Sequence, residues 1–229
     1  MKGKMSKKTK SILAALSIAT VVGVSGILAY LTDKDDATNN FSIGQVKIDL
    51  QEDSWDNATD TDDNGIPDFA ENIVPNQTIN KDPKVKNIGL NDAYVYLKVK
   101  VPVATVVTAN ADGTLKNGGT ATKTPLFTYT VATNSKWKPI ASQTDETDSE
   151  NTGYYTYVYY YNETVAPNAT TETLFNTVTY ANIASNDPDA AGTITEAQID
   201  VEAYAIQKDQ LPANTSIEGA YTIYLNQNS

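Results

Sequence analysis

Residues 91–103 read NDAYVYLKVKVPV, and this stretch decides the fold class. Val95, Leu97, Val99 and Val101 fall on one side of an extended chain, and Tyr94, Tyr96, Lys98 and Lys100 on the other. Side chains of a strand point alternately to its two faces, so the pattern predicts a strand with one face buried. The same signal recurs outward from it. Upstream, Val46, Ile48 and Leu50 alternate with Lys47 and Asp49, and NIVPNQTINKDPKVKNIG (72–89) holds a strand in which Val85 is the lone apolar residue. Pro83 and Pro102 mark strand ends or edges, because proline cannot donate to a ladder. Downstream, Thr108 to Thr124, with Asp112-Gly113 and Gly118-Gly119, predicts a hairpin or an excursion. LFTYTV (126–131) predicts a strand, and TDETDSEN (144–151) a solvated acidic loop. YYTYVYYYN (154–162) sets Tyr155, Tyr157, Tyr159 and Tyr161 on one strand face, a pattern for core packing and cross-strand stacking. The last expected strands are TETLFNTVTYANI (171–183), IDVEAYAIQ (199–207) and AYTIYL (220–225), with a short helical turn at Ile194 to Gln198.

Eight or so turn-bounded strands, with no long amphipathic helix after the N-terminus, predict an all-β antiparallel sandwich. The 229-residue chain has room for one such domain, residues 30–229. Before it, Lys2, Lys4, Lys7, Lys8 and Lys10 precede an apolar run from Ile12 to Leu28 that ends at the small residue Ala29. Residues 1–29 therefore read as a cleavable signal helix, cut between Ala29 and Tyr30. A permanent anchor is disfavoured, because the run falls short of the roughly 20 apolar residues a spanning helix needs. Ile27 is bulkier than the usual A-x-A cleavage pattern prefers, which points to an unusual signal peptidase.

Several segments together resemble the TasA and camelysin family, secreted Gram-positive proteins processed by a SipW-type signal peptidase. They are GVSGILAYLTDKDDATNNFSIGQVKIDL (23–50), NIVPNQTINKDPKVKNIG, NDAYVYLKVKV, YYYNETVAPNATTETLFNTVTY (159–180) and IDVEAYAIQ, in the family's order. The resemblance implies a jelly-roll-like β-sandwich exported to the cell surface or biofilm matrix, where relatives assemble into fibres. Two departures matter. Some relatives are classed as metallopeptidases, yet this chain has no His and hence no HExxH motif. LPANTS (211–216) does not complete a sortase signal, and no apolar tail follows it.

The chain carries 17 lysines, no arginine and 28 acids. Five of the lysines and none of the acids lie in the leader, so the mature chain holds 12 lysines against 28 acids, a net charge of −16. Such a surface repels nucleic acid and anionic membranes and attracts cations, so the membrane is met only in transit, through the signal helix. Without Cys there is neither a disulfide frame nor a thiolate metal site, and without His no imidazole for catalysis.

One motif carries specific chemistry. DTDDNGIPDFAE (60–71) fits D-x-D-x-N-G-x5-E at every position. Calcium takes six to eight hard oxygens on a tightly curved loop. This spacing offers carboxylates from Asp60, Asp62, Asp68 and Glu71, the Asn64 amide oxygen and the Ile66 carbonyl, with Gly65 for the turn. No EF-hand helices flank it, so the expected affinity is that of extracellular modules, on the order of 10⁻⁴ to 10⁻³ M. The plainer reading is a solvated acidic turn.

Functionally, the sequence points first to a matrix or surface subunit that polymerises with itself or with related matrix proteins. It would do so by lending an N-terminal arm, residues 30–43 with Tyr30, Leu31, Phe41 and Ile43 as apolar handholds, to a neighbour's sheet edge. A monomeric calcium-binding adhesin is the alternative. A camelysin-like metallopeptidase is the least supported, and no catalytic residue is assigned.

Overall fold

The computed structural model describes residues 45–140, 143–148, 153–185 and 197–228. The signal helix, the Ala29–Tyr30 bond, the arm residues Tyr30, Leu31, Phe41 and Ile43, and residues 194–196 of the expected helical turn lie outside them.

Twelve strands are present among the described residues, in antiparallel pairs throughout, so the fold is all-β. The spine is β4, Ala93–Thr108. Along one edge it pairs first with β12 (Asp200–Gln207) and then with β5 (Thr122–Pro125). Along the other it pairs with β9 (Gly153–Tyr161), whose far edge is lined by β7 (Trp137–Pro139) and β8 (Thr144–Thr147). β11 (Ile183–Ser185) joins the end of β4. A three-stranded sheet holds β2 (Thr78–Asn80), β10 (Thr177–Tyr180) and β6 (Phe127–Tyr129), and a two-stranded one holds β1 (Ile48–Gln51) and β3 (Lys84–Asn87).

The alternation of β4 is realised as read. Val95, Leu97, Val99 and Val101 are all but inaccessible and share one core with Val85, Ile79, Phe127, Val178 and Trp137, which brings in all three sheets. Burying each such side chain contributes about 1.5–3 kcal/mol. The tyrosines of β9 divide as expected. Tyr161 packs edge-on to Trp137, and Tyr129, stacked on Phe175 at 4.3 Å, shares a 3.0 Å hydroxyl contact with Tyr159.

Three expectations are corrected. AYTIYL is not a strand but part of α2, Ile217–Asn228; the one-turn helix α1 is Asp53–Asp56. Six residues of alternation misled, because from Ile217 onward the apolar residues Ile217, Ala220, Tyr221 and Tyr224 keep helical spacing. Ser216 caps the start, its Oγ accepting the Gly219 N–H at 3.0 Å. α2 covers the outer face of β4 and β12, which is why Tyr96 is fully buried beside Ile206 and Tyr221.

The acidic segment from Thr144 to Thr147 is the strand β8, an exposed edge strand on which Asp145 meets Lys123. Charge at an edge is a common guard against further pairing.

Pro102 lies inside β4, opposite Tyr154. Its carbonyl accepts the Leu126 N–H at 2.8 Å, so its nitrogen faces the same edge. There β12 stops at Lys100 and β5 begins at Val103, and the gap needs no donor.

Candidate functional site

The turn from Asp60 to Glu71 is wound on its own hydrogen bonds. Asp60 accepts the backbone N–H groups of Asn64 at 3.3 Å and Gly65 at 2.8 Å, and Gly65 adopts the left-handed φ of +85° that closes the turn. Asn64 lies at the centre. Its Nδ2 donates to Asp62 at 3.1 Å and to Glu71 at 2.6 Å, while its Oδ1 accepts the Ile66 N–H at 2.7 Å. The structure thus brings Asp60, Asp62, Asn64 and Glu71 together, with Ile66 tied to them through its amide.

Asp68 is turned aside. Both its oxygens take donors from Thr61, the N–H at 2.8 Å and the hydroxyl at 2.6 Å, and that hydroxyl above all holds its carboxyl below the ordinary range. Among the described residues no three Asp, Glu, His or Cys side chains stand grouped as they would around a metal ion. The carboxylates instead surround an amide NH2.

The turn is also a wall. Gly65, Ile66, Ala70 and Glu71 line a cleft of about 1000 Å³ whose opposite wall is the run Ala197 to Glu202 leading into and along β12. β12 pairs with β4 alone among the described residues, and it is the start of β12, Asp200 to Glu202, that borders the cleft. The floor is apolar, made by Leu50, Ile79, Phe127, Val178 and Tyr180. These reach into the main core, so the cleft is where β12 and the three-stranded sheet fail to close over it.

At its rim Glu52 and Lys81 form a 2.7 Å ion pair, with side chains only 14% and 10% exposed. The ammonium lies 5.1 Å from the Trp55 ring centroid, and Trp55 meets Phe69 edge to face at 5.8 Å, joining α1 to the acidic turn. Removing one partner of such a pair would strand the other charge, at a cost of about 3–5 kcal/mol. On the β12 side, Glu202 accepts the Tyr204 hydroxyl and lies within 3.5 Å of Lys98 and 3.2 Å of Lys100. The hydroxyl first, then the lysines, depress its carboxyl below the usual range, while burial and that same carboxylate push the Tyr204 phenol up.

The turn was legible as a spacing. The cleft was not, because Trp55, Lys81, Phe127, Val178 and Val201 come from five separate segments and none carries a local motif. Comparison of the chain with protein-family models, with curated proteins and with solved structures gave no match.

Proposed function

We propose that this chain is a secreted structural protein of the cell surface or biofilm matrix, a jelly-roll-like β-sandwich of the TasA and camelysin kind. It polymerises by giving its N-terminal strand to the sheet edge of another copy. The observation that carries this reading is the cleft: a free strand edge over an apolar floor continuous with the core has the shape of a missing strand. An extended segment laid there gains main-chain hydrogen bonds from the edge and burial for its alternate side chains. The family resemblance supports the same reading and adds export through a signal peptidase.

Calcium fits the scheme as a stabiliser. An ion held by Asp60, Asp62, Asn64, Ile66 and Glu71, with Asp68 reached through water, would replace the Asn64 amide protons among the carboxylates and stiffen one cleft wall. The packing of Tyr129, Tyr159 and Tyr161 into the core leaves the adhesin alternative with less aromatic surface to offer.

Deletion of residues 30–43 tests the proposal. The truncated protein keeps its β-sheet circular dichroism but forms no filaments in negative stain. Filaments of normal length from it would overturn strand donation.

A further inference from the structure

Four tyrosines from three elements meet where α2 crosses the outer face of the sheet: Tyr96 on β4, Tyr204 on β12, and Tyr221 and Tyr224 on α2. Two close pairs link the helix to the sheet. The Tyr96 and Tyr221 ring centroids are 5.0 Å apart, and those of Tyr204 and Tyr224 are 5.2 Å apart. The planes of the second pair are tilted by 41°, so an edge of one ring can meet an edge of the other.

The hydroxyls of the two sheet tyrosines have partners of different kinds. Tyr96 donates to the Ile217 carbonyl at 2.7 Å, an oxygen that takes up no proton near neutral pH. Tyr204 donates to the Glu202 carboxylate, which does accept one. A phenol that loses an electron becomes a strong acid, so oxidation is easiest where a base is already in hydrogen-bond reach of the proton.

Access separates the pairs in the same sense. Tyr96 is fully buried and Tyr221 is 9% exposed. Tyr204 and Tyr224 are only partly buried, and both line a small cleft of about 190 Å³ together with Ala203, Ala205 and Val46 to Ile48. Its volume is several times the roughly 30 Å³ of a water molecule, room enough for a peroxide. The β1 wall of this cleft is fixed at its start. The Gln45 carbonyl accepts the Leu90 N–H at 2.9 Å, and a Cβ on Gly89 would come within 2.3 Å of the same oxygen.

α2 is an element that gains from a tie. Its 12 residues lie at about the length, 12–15 residues, below which a lone helix is marginal in water. Ala220 and Tyr221 are its only buried residues among those described, and the chain has no Cys for a disulfide.

We infer that Tyr204 and Tyr224 form an oxidative cross-linking site, joined ring to ring as dityrosine within one copy, with Glu202 as proton acceptor and a peroxide as oxidant. Each phenol gives up one electron and its hydroxyl proton, that of Tyr204 passing to Glu202. The ring carbons beside the two oxygens form the new C–C bond. The hydrogens on those carbons then move to the oxygens and restore both phenols. Hydrogen peroxide takes the two electrons and two protons and leaves as two waters, a peroxidase passing the electrons singly. Lys98 at 3.5 Å and Lys100 at 3.2 Å keep Glu202 ionised, ready for the proton. The bond pins α2 to β12.

The test treats the full chain, as mixed isotopically light and heavy protein, with hydrogen peroxide and a peroxidase at a dose that spares most tyrosines. Peptide mapping finds the first dityrosine between Tyr204 and Tyr224, light to light or heavy to heavy, with two hydrogens lost. Tyr204→Phe removes that product. Glu202→Gln, with circular dichroism like that of the wild type, lowers its yield severalfold. The mapping on the unmodified chain decides the site whether or not a variant folds. A first cross-link at another tyrosine pair, a link between light and heavy copies, or tyrosine oxidation with no dityrosine here would overturn the inference. Equal yields from wild type and Glu202→Gln would overturn the assigned proton acceptor.

Discussion

Asn87 shows how much one buried polar residue can organise. Its side chain has no exposure, yet each of its polar atoms is used: Nδ2 donates to the Asn91 and Val165 carbonyls, both at 2.8 Å, and Oδ1 accepts the Gly89 N–H at 2.9 Å. Buried polar groups left unpaired cost about 1–3 kcal/mol each. Asn87→Ala should therefore lower unfolding free energy by roughly 2–4 kcal/mol in urea titrations, far more than a surface Asn→Ala control. The acidic turn makes a second prediction. Calcium at one to ten times its dissociation constant should stabilise the folded chain by about 0.4–1.4 kcal/mol, read as a rise in Tm. Asp60→Ala with Asp62→Ala should abolish the rise. An equal response of wild type and variant would mark the loop as only a turn.

At the scale of elements, β7 is tied down by Glu172, which accepts the Lys136 N–H and the Ser135 hydroxyl, while its own backbone carbonyl accepts from the Trp137 indole at 2.8 Å. The Lys136 N–H first, then Ser135, hold its carboxyl below the ordinary glutamate range. A depressed carboxyl contributes stability above its unfolded-state pKa and loses it as pH falls through the folded value. Wild type should thus lead Glu172→Gln in urea midpoint at pH 7 and lose that lead below about pH 4.

The elements also show what a sequence can carry. β4 was legible because its alternation runs for eight residues or more and its Val95 to Val101 face is buried, and β9 and β12, mostly half-buried on both faces, because they are runs of the aromatic and branched residues that strands favour. α2 was misread because Tyr221, Ile223 and Leu225 alternate over a window too short to separate the two periods. β8 has no apolar face to announce it, only an edge of β9 to cover. Of the site, the Asp60 to Glu71 spacing is local and was visible. The cleft depends on where β12 ends up relative to β1 and β10, which no window of residues contains.

For the whole molecule, charge would set the conditions of the assembly proposed above. Without the proposed leader the chain carries a net −16, so copies would meet with the same sign, and raising ionic strength from about 0.01 M to about 0.15 M shortens the screening length from about 30 Å to about 8 Å. Filament growth followed by light scattering should accelerate over that range, and slowing instead would mean that opposite charges drive the contact. Intact-mass measurement of the secreted material should find a chain starting at or beside Tyr30; a product retaining the lysine-rich head would contradict the leader reading.

The anchoring of Gln45 also has a mechanical side. Ile48 to Gln51 pair with Lys84 to Asn87, and the ladder continues through the Ile88 N–H on the Lys47 carbonyl and the Leu90 N–H on that of Gln45. Tension applied at Gln45 along the strand pulls β1 lengthwise past its partner, so these bonds bear the load in shear, all at once. A pull across the strand would open them singly, like a zip. In the proposed assembly, a pull passed from copy to copy through the segment before Gln45 would load this joint in the direction in which it is strongest.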